Sequence, residues 1–168
     1  MTTKAIALIG SGKIGEMIAD LLISSGDYRV TVIDAVATQL ARLNSRQGLS
    51  KLCLDVTDEL ALATVLADHY AVISAAPYFL TLHIAKAAKM AGIHYLDLTE
   101  DVVSTAEVKK LVVDAQAAFI PQCGLAPGFI SIVAADIAAN FDQLDTIRMR
   151  VGALPQYPSN SLNYNLTW

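Results

Sequence analysis

The sequence predicts an α/β fold built on a doubly wound parallel sheet, followed by the start of a second domain of α+β type. Six short apolar runs, rich in β-branched residues, are separated by segments with helical periodicity. Helical crossovers between consecutive parallel strands of one sheet are right-handed. The first run leads directly into Gly10, Gly12 and Gly15, a spacing typical of a tight turn into a helix.

The first three predicted strands lie at 4–9, 29–33 and 51–54. The first helix is expected to end near residue 25, before Gly26, because its apolar positions recur at helical spacing up to that point. These positions are Ile14, Met17, Ile18, Leu21 and Leu22. A second helix carries Leu40 and Leu43, and Thr57 is expected to cap the third helix.

The remaining predicted strands lie at 71–74, 94–96 and 119–121, which suggests the strand order 3-2-1-4-5-6. A fourth helix is expected at 79–91, and Ser104 with Glu107 fits a capping box for the fifth. After residue 122 the pattern changes to a loop, a helix to about residue 140 and an alternating run at 146–151. That run is typical of a half-exposed antiparallel strand.

Composition excludes several classes of protein. Of the 168 residues, 54% are hydrophobic and 17% are charged, which argues against disorder. The net charge of −4 offers no basic excess for nucleic acid or anionic lipid, so neither a nucleic acid nor a membrane is an expected partner. The two cysteines and three histidines have no metal-ligand spacing. We expect a cytoplasmic protein with a small-molecule substrate and no metal.

The turn after the first strand predicts a nucleotide site and hence a Rossmann domain over 1–123. Gly10 permits the tight turn, Gly12 leaves room for a pyrophosphate, and Gly15 lets the helix pack closely. The helix N-terminus supplies N–H donors to the phosphates. The candidate cofactor-binding residues of this turn are Gly10, Ser11, Gly12, Lys13, Ile14 and Gly15.

Acidic residues follow the second and third predicted strands. Asp34 is placed to accept hydrogen bonds from the adenosine ribose and to repel a 2′-phosphate, which favours NAD over NADP. A turn or helix-cap role for Asp34 is the alternative. Asp55 and Val56 are candidates for contact with the adenine, and the alternative for Asp55 is a surface turn.

The ends of the fourth and fifth strands are candidates for the substrate side of the crevice. Ala75, Ala76 and Pro77 leave space for the nicotinamide ribose, and Tyr78 is expected near the ring. Asp97 could orient a substrate ammonium or accept its proton. Tyr78 and Asp97 are therefore the candidate catalytic and substrate residues; helix-start packing and a turn cap, respectively, are the alternatives.

These residues make the chain similar to the saccharopine dehydrogenase-like group, which includes saccharopine reductases, lysine 6-dehydrogenases and carboxynorspermidine dehydrogenases. The glycine turn at 10–15 and the proline–aromatic turn at 76–78 resemble the group's nucleotide site. The segments at 124–128, 151–155 and 162–168 resemble its later motifs, which are more specific than the glycine spacing.

The resemblance implies an oxidoreductase that oxidises or forms a C–N bond of a lysine-like or saccharopine-like amino acid with a nicotinamide cofactor. It implies that Gly128 and Tyr164 help to shape the substrate cavity and that Asp97 faces the amine. It also implies that 124–168 begin an incomplete catalytic domain and that the full-length protein is a homodimer. A nucleotide-binding regulatory module and an inactive fragment that binds NAD without turnover are the alternatives.

Overall fold

The computed structural model describes residues 3–150 and Gly152, and it contains a six-stranded, all-parallel sheet. The strands are β1 (Lys4–Ile9), β2 (Tyr28–Asp34), β3 (Leu49–Cys53), β4 (Ala71–Ser74), β5 (His94–Asp97) and β6 (Phe119–Ile120). Their spatial order is β3-β2-β1-β4-β5-β6, as the sequence predicts. The order reverses direction between β1 and β4, which is where ligands bind in open sheets of this kind.

Helices alternate with the strands along the chain, as expected for a doubly wound sheet. Their bounds are α1 (Lys13–Ser24), α2 (Ala37–Arg42), α3 (Glu59–Leu66), α4 (Thr81–Ala91), α5 (Val102–Leu111) and α6 (Phe129–Ala138). A short 3-10 turn, Tyr78–Leu80, precedes α4. The predicted fourth helix therefore begins as a tighter turn than the sequence suggests.

The core lies on both faces of the sheet, which explains why the central strands are apolar at consecutive positions. On one face, Ala7 and Ile9 of β1 pack in a cluster with residues of α3, α4 and α5. On the other face, Leu8 packs with Ala19 of α1 and with residues of β2 and α2. Successive residues at the end of β1, Ala7, Leu8 and Ile9, thus contribute alternately to the two cores.

Two predicted helix caps are wrong. Asp58, not Thr57, caps α3 by accepting a hydrogen bond from the Ala61 N–H at 3.0 Å. The Thr57 hydroxyl instead donates to Asp55 at 2.8 Å. The capping box predicted at Ser104 is also not the start of α5, because Asp101 caps this helix and its carboxylate accepts a hydrogen bond from the Ser104 N–H.

The chain divides into two compact units, Met1–Gly124 and Leu125–Trp168. Within the described part of the second unit, α6 follows Gly128, whose φ of 130° is in the region that favours glycine. Residues 146–150 form no strand and are exposed, so the expected antiparallel strand is absent from the described part. Apart from Gly152, the predicted motifs at 151–155 and 162–168 lie outside the described residues.

No helix in the described part of the chain is long and apolar enough to cross a membrane.

Replacing Leu62 by Ala tests the core beneath α3. Leu62 is 0% exposed and Leu60, on the same helix, is 75% exposed. We expect Leu62→Ala to lower the free energy of unfolding by about 2–5 kcal/mol and Leu60→Ala to change it by less than about 0.5 kcal/mol. Urea unfolding followed by circular dichroism measures both, and equal losses would contradict the burial of Leu62.

Candidate nucleotide site

The turn between β1 and α1 is built on two close backbone contacts. Gly10 has a φ of +100°, and a Cβ there would lie 2.9 Å from the carbonyl oxygen of Ala75, just after β4. A Cβ on Gly15 would overlap the carbonyl oxygen of Gly10. Both contacts exclude any larger residue, so they hold the start of α1 against the carboxyl ends of β1 and β4.

Gly12 differs from these two glycines because, apart from its chain neighbours, no atom of the described residues lies within 4 Å of an added Cβ. Its φ of −71° is open to any residue, so neither packing nor backbone conformation requires a glycine there. Gly12 precedes α1, which has no side-chain cap and whose first N–H groups have no acceptor within the helix. Open space beside unpaired donors fits the phosphates of a dinucleotide.

Asp34, the last residue of β2, contacts this turn directly. Its Oδ2 accepts hydrogen bonds from the Ser11 N–H at 2.8 Å and from the Ser11 hydroxyl at 2.6 Å. Its Oδ1 accepts from the Val36 N–H at 2.9 Å. Burial opposes ionisation of the carboxyl, but these hydrogen bonds outweigh it and lower the pKa of Asp34. The structure therefore joins the ends of β1 and β2 through one carboxylate.

The residues after β3 have separate roles. Asp55 is exposed, and its Oδ1 accepts from the Thr57 N–H and hydroxyl, which lowers the pKa of the Asp55 carboxyl. Val56 is buried in the core, so its side chain does not face solvent. The adenine contact predicted for this pair stays a prediction, with Asp55 as the member whose side chain is open to a ligand.

The exit of β4 presents small residues and then aromatic ones. Ala75 donates its N–H to Ile9 at 2.8 Å, which continues the sheet by one residue beside the glycine turn. Ala76 is half-buried and Pro77 is exposed. Tyr78 is 56% exposed, and its ring meets that of Phe79 edge to face at 5.9 Å. Tyr78 is thus available to a ligand on the β4 side.

Asp97 occupies a different environment from the one expected of it. It is 1% exposed, and its Oδ2 accepts from the Tyr95 hydroxyl at 2.7 Å. Its Oδ1 accepts from the N–H groups of Thr99 and Gln122 at 3.0 and 3.1 Å. Because both carboxylate oxygens are occupied by protein donors, the geometry favours a structural role, and contact with an amine stays a prediction.

Tyr95, the hydrogen-bond partner of Asp97, is not among the residues predicted from the sequence. Burial raises the pKa of its hydroxyl, and the adjacent Asp97 carboxylate raises it further. A signal was present, because residues two apart on a strand share one face of the sheet. Tyr95 and Asp97 therefore had to point the same way.

The other two predicted substrate residues belong to the second unit. Gly128 immediately precedes α6, and Tyr164 lies outside the described residues. The described part of the chain also contains no group of three or more His, Cys, Asp or Glu side chains that could hold a metal ion.

The family described as the saccharopine dehydrogenase NADP binding domain matches residues 6–126. Saccharopine dehydrogenase (NADP(+), L-glutamate-forming) of Saccharomyces cerevisiae is 29% identical over 173 residues, which cover 98% of this chain and 38% of that protein. The mitochondrial alpha-aminoadipic semialdehyde synthase of Bos taurus is 26% identical over 174 residues, which cover 99% of this chain and 19% of that protein. The chain thus spans well under half the length of these relatives.

Solved structures agree with these matches. Apo histidine-tagged saccharopine dehydrogenase (L-Glu forming) from Saccharomyces cerevisiae superposes with a TM-score of 0.72 at 28% identity, covering 82% of this chain and 31% of that one. The Bordetella bronchiseptica enzyme WbmH in complex with NAD+ gives a TM-score of 0.56 at 18% identity, covering 71% of this chain and 55% of that one. The second likeness shows the fold alone.

Replacing Gly12 by Ala separates a ligand requirement from a folding requirement. The added methyl group meets open space, so we expect the midpoint of thermal unfolding to stay within about 2 °C. We expect affinity for NAD or NADP to fall by at least about tenfold, or ~1.4 kcal/mol, because the methyl group occupies the space proposed for the phosphates. Calorimetric titration measures the affinity, and unchanged binding would contradict this use of the space.

Replacing Tyr95 by Phe tests the buried pair. The change leaves one oxygen of Asp97 buried without its donor, which we expect to lower the free energy of unfolding by about 1–3 kcal/mol. Tyr70→Phe is the matched control, since Tyr70 is 46% exposed, and it should change stability by less than about 0.5 kcal/mol. Equal stability of Tyr95→Phe and the parent chain would contradict the proposal that the bond between Tyr95 and Asp97 stabilises the fold.

Proposed function

The chain belongs to the saccharopine dehydrogenase NADP binding domain family, and we propose that it forms the nucleotide-binding part of an oxidoreductase acting on a C–N bond of an amino acid. The observation that carries the proposal is the open space at Gly12, beside the uncapped end of α1 and next to Asp34. The curated relatives carry the names of saccharopine dehydrogenases and of an alpha-aminoadipic semialdehyde synthase. The substrate we propose is accordingly a lysine-like or saccharopine-like amino acid.

The residues of the glycine turn would hold the cofactor. The N–H groups at the start of α1 face the phosphates, and Lys13 is an exposed cation at the same end of the helix. Asp34 lies where the adenosine ribose binds in folds of this topology. When bound, the nicotinamide supplies the redox chemistry, while the protein fixes its position relative to the substrate.

The residues at the end of β2 bear on the choice between NAD and NADP. The family description and the yeast relative's name both specify NADP. In this chain the residues at the end of β2 are Asp34, Ala35 and Val36, none of which carries a positive charge. A carboxylate repels a 2′-phosphate, so we propose that NAD binds more tightly than NADP.

The substrate side would include the residues that follow β4. Tyr78 follows β4 with its side chain exposed, and it is open to direct contact with substrate or cofactor. We retain Gly128 and Tyr164 as proposed contributors on the strength of the resemblance. For Asp97 we propose that it holds the loop after β5 in place, with direct contact to the amine as the alternative.

A binding and turnover experiment tests the function. Calorimetry with NAD and NADP comes first, followed by a spectrophotometric assay of cofactor reduction with lysine and saccharopine. Turnover would support the enzyme. Binding without turnover would favour the regulatory module or the inactive fragment, and failure of both cofactors to bind would overturn the proposal.

A charge exchange at the end of β2 tests the cofactor preference. We expect Asp34→Ala to weaken NAD binding by about tenfold, in line with the loss of a hydrogen-bonding carboxylate. The double change Asp34→Ala with Ala35→Arg should improve NADP binding by at least about tenfold, because a guanidinium pairs with phosphate. Ala41→Arg, away from the strand end, is the control. Calorimetry gives the affinities, and unaltered selectivity would show that Asp34 does not face the ribose.

A further inference from the structure

The carboxylate of Asp34 has little capacity left for a ligand. An ionised carboxylate offers about four lone-pair sites, two on each oxygen. The two hydrogen bonds from Ser11 occupy Oδ2, and the Val36 N–H occupies one site on Oδ1. One site remains, whereas a ribose diol presents two hydroxyl donors.

A dinucleotide that uses both ribose hydroxyls must therefore displace a donor from Asp34. The N–H groups of Ser11 and Val36 are fixed by the backbone on either side of the carboxylate. The Ser11 hydroxyl is the one donor that can leave by rotation about a single side-chain torsion. Its bond to Oδ2 is also the shortest of the three, at 2.6 Å, so its release carries a cost.

We propose that the Ser11 hydroxyl is a specificity-determining group that competes with the adenosine ribose of NAD for the carboxylate of Asp34. This inference rests on the proposed nucleotide function. While the hydroxyl donates to Asp34, it disperses part of the negative charge that a 2′-phosphate would meet. The same hydroxyl, once rotated, can donate to a phosphate oxygen, since a hydroxyl serves either kind of acceptor. Ser11 thus lowers affinity for NAD and reduces discrimination against NADP.

The position of Ser11 supports this role over that of an ordinary turn residue. Ser11 is 7% exposed, and it lies between Gly10 and Gly12 while its side chain contacts Asp34, so it adjoins both the residues proposed for the phosphates and the carboxylate proposed for the ribose. Its N–H already fastens the turn to Asp34. Because the Ser11 N–H keeps the turn bonded to Asp34, the hydroxyl can rotate toward the ligand without breaking that contact.

Ser11→Ala in the full chain is the direct test. Calorimetry should show that NAD binds more tightly and that the ratio of NAD to NADP affinity rises about three- to tenfold, which corresponds to one hydrogen bond. Ser11→Thr, which keeps a hydroxyl, should return the ratio toward that of the parent chain. Ser24→Ala removes an exposed hydroxyl bonded within α1 and is the matched control.

A second background separates this role from a purely structural one. In an Asp34→Ala chain, Ser11→Ala should no longer strengthen NAD binding, because the carboxylate for which the hydroxyl competes is absent. A structural role would instead alter both affinities alike and persist in that background. An unchanged or lowered ratio in Ser11→Ala would overturn the inference while the parent chain still binds. Failure of the parent chain to bind either cofactor would overturn the proposed function itself.

Discussion

The contact between Gly15 and the carbonyl oxygen of Gly10 is the constraint on which the nucleotide site depends. With no side chain at either position, α1 starts directly over the end of β1, and the turn fits between the ends of β2 and β4. Any Cβ at Gly15 would lift the helix from the strand. The N–H groups of its first turn would then no longer point into the space that Gly12 leaves open.

Asp34 connects this backbone constraint to ligand chemistry. A carboxylate at a strand end is usually considered as an acceptor for the ligand, yet here the protein already supplies three donors to it. One ribose hydroxyl can use the remaining acceptor site, but the second must exchange with a protein donor. For that second hydroxyl the net free energy is a small difference between similar terms, and a single side-chain hydroxyl is enough to affect the choice of cofactor.

The sequence predicts the sheet well because the information is local and repeated. β1 and β4 have the predicted bounds, since each is a short apolar run between turn-forming residues. The caps are less predictable, because Asp55, Thr57 and Asp58 all favour such positions and only the three-dimensional path decides among them. The strand expected at 146–151 is predicted from alternating apolar and polar residues alone. Such alternation indicates that one face could be buried, but it does not identify a neighbouring strand to pair with.

Asp97 illustrates why a candidate site is harder to predict than a fold. From the sequence, an acid at the end of β5 has the same appearance as the acid at the end of β2. In the sheet, however, Asp97 lies in register with the buried Ser74 of β4. The Tyr95 hydroxyl donates to Asp97 from the same strand, whereas Asp34 lies beside a glycine turn that leaves open space.

Burial of a carboxylate is tolerated only when its oxygens are hydrogen-bonded. An amine that approached Asp97 would therefore have to replace bonds on which the local fold depends. The side chain of Tyr78, which follows the neighbouring strand β4, is exposed. Of the two predicted catalytic residues, Tyr78 is therefore the one that can contact a ligand without replacing buried hydrogen bonds.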